Sequence, residues 1–214
     1  MAGAADRRVT SRRIHPARII AGGFAGVIAM GTALLSLPAA TANGTSIPLI
    51  DAMFTAVSAT CVTGLTVVDT GTVFSRFGQA VILACIQIGG LGLMTMTTVF
   101  LVAFGRRLAI VDRIAMQDSF HHTRNPQLGA LIKYIVAATF ATEGLGAAIL
   151  SIYWIATGRF ESPWTAVYHA VFHAVSAFCN AGFALYRDNL TGFQSDPVVL
   201  MVIRPSVLPS RLQV

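Results

Sequence analysis

Two segments of the chain share a pattern of residues that suits the binding of a dehydrated cation. Residues 52–65, AMFTAVSATCVTGL, match residues 170–183, AVFHAVSAFCNAGF, at an offset of 118 residues, with eight of 14 positions identical. Near its end each segment has a glycine, Gly64 or Gly182, which lets the backbone aim successive carbonyls at one axis. Converging carbonyls can replace the hydration shell of a monovalent cation without trapping the ion. The repeated segments therefore predict two cation-binding loops, and two tight helix turns without an ion are the alternative.

The composition places these loops in a membrane protein. The 214 residues are 55% hydrophobic and only 11% charged, whereas charged residues make up about a quarter of a soluble domain. This balance excludes a soluble enzyme, a disordered tail and a coiled coil. The net charge of +6 comes from arginine clusters that flank apolar runs. No nucleic-acid partner is expected, because these clusters lack interleaved aromatic residues on a soluble face.

Three apolar runs are long enough to cross a hydrocarbon core of about 30 Å. They cover residues 19–37, 77–105 and 128–157. Between the spans, Asp51–Ala59 and about Trp164–Phe178 predict shorter, re-entrant helices, which run into the loops at Thr60–Leu65 and Cys179–Phe183. Non-helical backbone at membrane depth requires burial in protein or contact with a water-filled space. The fold class is therefore an all-α integral membrane protein built from repeated units of span, re-entrant pore helix, filter loop and span.

The arginine clusters orient these segments. Clusters at the N-terminus and around Arg106 and Arg107 mark cytoplasmic ends by the positive-inside rule, so the N-terminus is expected in the cytoplasm and both loops open to the outer face. The predicted organisation is a basic cytoplasmic arm (1–18), a first pore repeat (19–105), a cytoplasmic connection (106–126), a second pore repeat lacking its last span (127–203) and an aberrant tail (204–214).

Other polar residues in the apolar segments are weaker candidates. Glu143 lies near the middle of the third span, where a carboxylate is costly and marks either a functional site or a hydrogen bond to a neighbouring helix. His169 and His173 lie four residues apart and could face each other on one helix, although packing against neighbouring helices is the favoured role. The IGGLG sequence at 88–92 predicts close helix packing. No nucleophile–base pair or metal-ligand spacing is visible, so an enzyme is not expected.

The two loops and their flanks also resemble a known family. SATCVTGLTVVDTG, FGQAVILACIQIGGLGLMT and HAVSAFCNAGF are similar to the first and second pore repeats of the Trk/Ktr/HKT superfamily of potassium transporters, and most similar to its KtrB-type membrane subunit. This resemblance implies a potassium-channel-like fold in which four repeats surround one potassium pathway. It also implies that Gly64 and Gly182 are the filter glycines. The carbonyl ligands implied are those of Thr60, Cys61, Val62, Thr63, Phe178, Cys179, Asn180 and Ala181.

The resemblance further implies the ions and partners of the protein. Potassium is the permeant ion, sodium a possible coupling or activating ion, and no organic cofactor is expected. The implied partners are membrane lipid in the cell membrane, a second copy in a homodimer, and a cytoplasmic ring of nucleotide-binding regulatory subunits.

The C-terminal part departs from this pattern. After Asp196 the apolar run PVVLMVI lasts seven residues before Arg204 and Pro205, where the repeat calls for a full span. The chain is thus expected to be a fragment or truncated half of such a subunit. A non-conducting membrane scaffold or pseudo-subunit is the alternative function.

Overall fold

The computed structural model describes residues 16–108, 126–187, 191–193 and 196–203. Within this part of the chain the regular structure is helical, with one isolated bridge between Thr41 and Phe74, which confirms the predicted all-α class. The helices are α1 (Pro16–Leu35), α2 (Leu49–Thr60), α3 (Thr70–Val73), α4 (Arg76–Leu108), α5 (Pro126–Ala156), α6 (Pro163–Phe178) and α7 (Pro197–Ile203), with short 3-10 helices at Pro38–Ala40 and Thr191–Phe193. The predicted arm, connection and tail lie largely outside the described residues.

Helix lengths separate α4 and α5 from the shorter helices α2 and α6. Among the described residues, the segments Arg76–Met96 of α4 and Lys133–Ala156 of α5 are long and apolar enough to cross a membrane, and Ile20–Leu35 of α1 is a shorter apolar helix. The 12 residues of α2 and the 16 of α6 extend only about 18 and 24 Å at 1.5 Å per residue. Both helices are therefore shorter than a bilayer core of about 30 Å.

The helices pack as two similar groups, α1 with α2 and α4, and α5 with α6 and α7. Small residues allow the first group to approach closely: a Cβ on Gly31 of α1 would lie 2.8 Å from the Cys85 sulfur of α4 and 3.3 Å from the Ala56 Cβ of α2. Such small-residue contacts are typical of membrane helices, which lack a hydrophobic driving force between them. One buried core joins the groups, since Phe172 and Phe183 pack with Ile82 and Ala56.

The outer faces of the long helices are apolar. Leu145 and Ile152 of α5 are 63% and 69% exposed, and Trp164 at the start of α6 is 82% exposed. Exposed side chains of this kind on an otherwise close-packed helical group indicate surfaces that face lipid.

The start of α7 resembles the start of α4. The Asp196 carboxylate accepts hydrogen bonds from the backbone N–H groups of Val198 (3.2 Å) and Val199 (3.4 Å), as the Ser75 hydroxyl does from the N–H of Gly78 (3.2 Å). The Tyr153 hydroxyl donates to the other Asp196 oxygen at 3.1 Å, which joins α7 to α5. The seven described residues of α7 thus begin at the position where the repeat predicts the last span of the second unit.

Candidate cation-binding loops

The first re-entrant helix ends in a Schellman motif. Thr60 is its last helical residue, and the N–H groups of Val62 and Thr63 donate to the carbonyls of Ala59 (3.3 Å) and Ser58 (3.0 Å). These bonds satisfy carbonyls that would otherwise be unpaired at the helix end. The chain leaves the helix with Val62 at φ +58° and Gly64 at φ +74°.

The second re-entrant helix ends in the same way, 118 residues later. The N–H groups of Asn180 and Ala181 donate to the carbonyls of Ala177 (3.0 Å) and Ser176 (2.8 Å). Asn180 has φ +57° and Gly182 has φ +72°. The two loops therefore share one backbone conformation although their side chains differ.

A left-handed conformation is easy for glycine and tolerable for asparagine, but it is unusual for a β-branched residue. Val62 is therefore held in a conformation that costs on the order of 1–3 kcal/mol and persists only where its surroundings impose it. Such backbone strain clusters at ligand-binding sites. Sequence inspection alone missed this feature, because valine gives no signal of positive φ.

The two glycines bring the loops into direct contact. A Cβ on Gly64 would lie 2.8 Å from the Ala181 carbonyl oxygen and 3.1 Å from the Gly182 Cα, and a Cβ on Gly182 would lie 3.1 Å from the Gly64 Cα. These neighbours are backbone atoms, which cannot swing aside as a side chain would. The loops therefore meet backbone to backbone at the positions predicted to bind a cation.

Two further glycines hold the loops against α4. A Cβ on Gly89 would overlap the Thr60 carbonyl oxygen, and a Cβ on Gly90 would lie 2.6 Å from the Cys179 sulfur. The IGGLG sequence thus provides close packing, as predicted, and Gly92 of the same sequence packs against Phe24 of α1. The contact with Gly89 places the Thr60 carbonyl against α4. The equivalent residue of the second repeat, Phe178, is the last residue of α6.

Side chains of α6 fix the segment that follows the second loop. The Ser176 hydroxyl donates to the Phe183 carbonyl at 2.6 Å, and the Leu185 N–H donates to Nε2 of His173 at 3.3 Å. Because Nε2 accepts, the ring proton is on Nδ1, which donates to the His169 carbonyl at 2.7 Å. The His169 and His173 rings face each other, with centroids 6.0 Å apart. These supporting residues were not predicted from sequence as holding the loop.

Glu143 lies behind the second loop. Its side chain is 5% exposed, one carboxyl oxygen accepts from Nε2 of Gln87 on α4 at 3.2 Å, and the other lies 3.9 Å from the Cys179 sulfur. Of the two alternatives for this residue, the structure shows the hydrogen bond to a neighbouring helix, and it adds a contact to a loop residue.

Cavities lie on both sides of the paired loops. On the side that follows the glycines, a polar cavity of about 280 Å³ is lined by Gly64 and Gly182 together with Asp69, Tyr186 and Arg187. On the side that precedes them, a cavity of about 640 Å³ lies between α4 and α5, and its lining includes Val62, Cys179 and Asn180. The two loops thus line both of these cavities.

The long apolar helices, the two re-entrant helices and the paired loops define a helical membrane protein with a repeated pore-loop unit. The family model described as TrkH, cation transport protein, matches residues 12–210. The chain belongs to this family of cation transport proteins, which confirms the resemblance found in the loops.

Curated relatives in three bacteria are similar over most of the chain. Ktr system potassium uptake protein B of Bacillus subtilis is 40% identical over 198 residues, which cover 92% of this chain and 43% of the relative. The protein of the same name in Vibrio alginolyticus is 42% identical over 183 residues, covering 85% and 39%. Potassium/sodium uptake protein NtpJ of Enterococcus hirae is 35% identical over 202 residues, covering 94% and 44%. The chain spans less than half the length of these relatives.

Proposed function

We propose that the chain forms part of the pore of a potassium uptake system of the Trk/Ktr type, and that backbone carbonyls of its two loops coordinate the permeant ion. The observation that carries the proposal is the repeated backbone of the loops, with matching positive φ angles at Val62 and Asn180 and at Gly64 and Gly182. Two loops with the same conformation present carbonyls in the same pattern, as rings of carbonyls do in cation filters. The names of the relatives, all potassium or potassium/sodium uptake proteins, support potassium as the main ion.

The carbonyl ligands are proposed within Cys61–Gly64 and Cys179–Gly182. The chemistry requires only backbone oxygens, so the pairs Val62–Thr63 and Asn180–Ala181 can differ while the conformation is kept. Thr60 and Phe178 end the helices that aim at the loops, and the packing of the Thr60 carbonyl against Gly89 favours a supporting role for it. Sodium is proposed as a second permeant or coupling ion.

The proposed assembly follows the family pattern. Two loops provide two sides of a coordination site, and further pore loops complete the ring around the ion. We propose a location in the cell membrane with the N-terminus in the cytoplasm, a homodimer, and a cytoplasmic nucleotide-binding ring as regulator. In this orientation the cavity near Asp69 and Arg187 is the outer vestibule.

Potassium uptake by cells tests the proposed function. The chain is expressed from its complete locus in a bacterial strain that lacks its own high-affinity potassium uptake, and membrane levels of the protein are measured in parallel. We expect saturable potassium uptake and growth at low potassium, with sodium taken up less well. A protein present in the membrane at normal levels without potassium uptake above the vector control would refute the proposal and favour the non-conducting scaffold.

A further inference from the structure

The Glu143 carboxyl joins three elements at the second loop. It projects from α5, accepts from Gln87 on α4 at 3.2 Å, and lies 3.9 Å from the Cys179 sulfur at the end of α6. Gln87 and Cys179 are 92 residues apart in the chain, so the carboxyl links segments that the fold alone brings together.

The donors around Glu143 explain why a carboxyl is tolerated there. A buried carboxyl among membrane helices is costly unless hydrogen-bond donors satisfy its oxygens. The amide of Gln87 is a strong donor and the thiol of Cys179 a weak one, and each faces a different oxygen. The carboxyl therefore acts as an acceptor on both sides, and its position depends on both partners.

The two loops differ in the surroundings of their cysteines. Cys61 and Cys179 occupy equivalent positions after the re-entrant helices, yet the Cys61 side chain is exposed and that of Cys179 is 5% exposed. Cys179 is enclosed by Gly90 on one side and by Glu143 on the other. The second loop thus has a polar support that is not seen around Cys61 in the described part of the chain.

We propose that Glu143 is a positioning residue for the second loop and sets its selectivity for the permeant cation through Cys179. This inference rests on the proposed function. Cys179 is the last residue before Asn180 turns into the left-handed conformation, so the place of its side chain fixes the direction in which the loop leaves the helix. Two residues after Cys179, the Ala181 carbonyl lies against Gly64 of the other loop. A displacement of Cys179 is therefore transmitted to the contact between the loops.

The test is a double-mutant cycle on the complete transport system. Glu143→Leu removes both acceptors at similar volume, Glu143→Gln keeps an acceptor oxygen, and Cys179→Ala removes the thiol. The measurement is the ratio of potassium to sodium uptake, with KM for potassium, in protein matched for membrane level. We expect Glu143→Leu to lower the ratio by up to about tenfold, as for the loss of a buried hydrogen bond, and Glu143→Gln to lower it about threefold or less.

The cycle identifies the path of the effect. With Glu143 acting through Cys179, the double variant Glu143→Leu/Cys179→Ala has about the same ratio as the more affected single variant. Cys61→Ala is the matched control. Its effect on the uptake ratio is expected to be independent of Glu143, so that the fold-changes of Cys61→Ala and Glu143→Leu multiply in the double variant. Multiplying effects of the Glu143 and Cys179 substitutions, or an unchanged ratio in Glu143→Leu, would overturn the proposal.

A second measurement keeps the inference separate from the proposed function. With Cys179 as the sole cysteine, its reaction with a membrane-permeant maleimide is expected to be several-fold faster in Glu143→Leu than with Glu143 present. An unchanged maleimide reaction rate would contradict the contact between Glu143 and Cys179, even if the wild-type protein takes up no potassium. If Glu143→Leu fails to accumulate, Gln87→Leu/Glu143→Leu replaces it, since removing both partners avoids an unpaired, partly buried amide.

Discussion

The contact between the two loops makes Gly64 the most informative position to change. Alanine at this position adds one Cβ, which would lie 2.8 Å from the Ala181 carbonyl oxygen and 3.1 Å from the Gly182 Cα. Ordinary carbon–oxygen contacts are about 3.3–3.6 Å, so the second loop must move by about half an ångström. Gly64→Ser places the same Cβ and adds a hydroxyl.

Two separate costs contribute to the expected effect. A residue with a Cβ in the left-handed region costs about 1–2 kcal/mol relative to glycine, and Gly64 has φ +74°. The displacement of the facing backbone comes in addition, at a site where coordination tolerates shifts of only about 0.5 Å. Since about 1.4 kcal/mol corresponds to a tenfold change in an equilibrium constant, we expect potassium affinity or potassium/sodium selectivity to fall at least about tenfold.

Gly158→Ala is the matched control for the conformational cost. Gly158 has φ +63°, and a Cβ there meets nothing within 4 Å, so alanine adds backbone strain without a contact between loops. Both variants are compared by potassium uptake kinetics in a transport-deficient strain, at equal membrane levels. Equal and unchanged potassium affinity and selectivity in Gly64→Ala and Gly158→Ala would refute the inference that the glycine contact shapes the filter.

Two further predictions address the packing and the orientation of the chain. Gly89→Ala should lower the thermal stability of the purified protein and its membrane level, because the added Cβ would overlap the Thr60 carbonyl. The control Gly144→Ala should be neutral or stabilising by up to about 1 kcal/mol, because a Cβ there meets nothing within 4 Å. Similar melting temperatures for the two variants would contradict this packing. Single cysteines at Thr45 and Arg113 test the topology with an impermeant thiol reagent on intact cells: we expect labelling at 45 only, and labelling at 113 alone would reverse the proposed orientation.

Much of the architecture could be predicted from local sequence. The re-entrant helices, predicted at Asp51–Ala59 and about Trp164–Phe178, form at Leu49–Thr60 and Pro163–Phe178. Helix length, apolar composition and the position of glycine depend on residues close together in the chain, and the repeat shows the same unit twice. The boundaries were less accurate at the first span, where the helix ends at Leu35 and a 3-10 helix follows from Pro38, because helix ends depend on local hydrogen bonds.

The surroundings of the two loop cysteines could not be predicted from local sequence. Cys61 and Cys179 occupy equivalent positions in the repeat and precede the same turn, so local sequence predicts the same surroundings for both. In the structure Cys61 is exposed, whereas Cys179 is enclosed by Gly90 from α4 and Glu143 from α5.

The amino-acid sequence by itself therefore determined the membrane class, the pore-loop repeat and the family of the protein, because these depend on composition, on periodicity and on the motifs of the two loops. Only the tertiary structure decided that Gln87 and Cys179 are the partners of Glu143 and that Gly64 meets Gly182. These contacts join residues 56, 36 and 118 positions apart. Which residues meet over such separations is set by the rotation and crossing of whole helices, and no local pattern in the sequence encodes either.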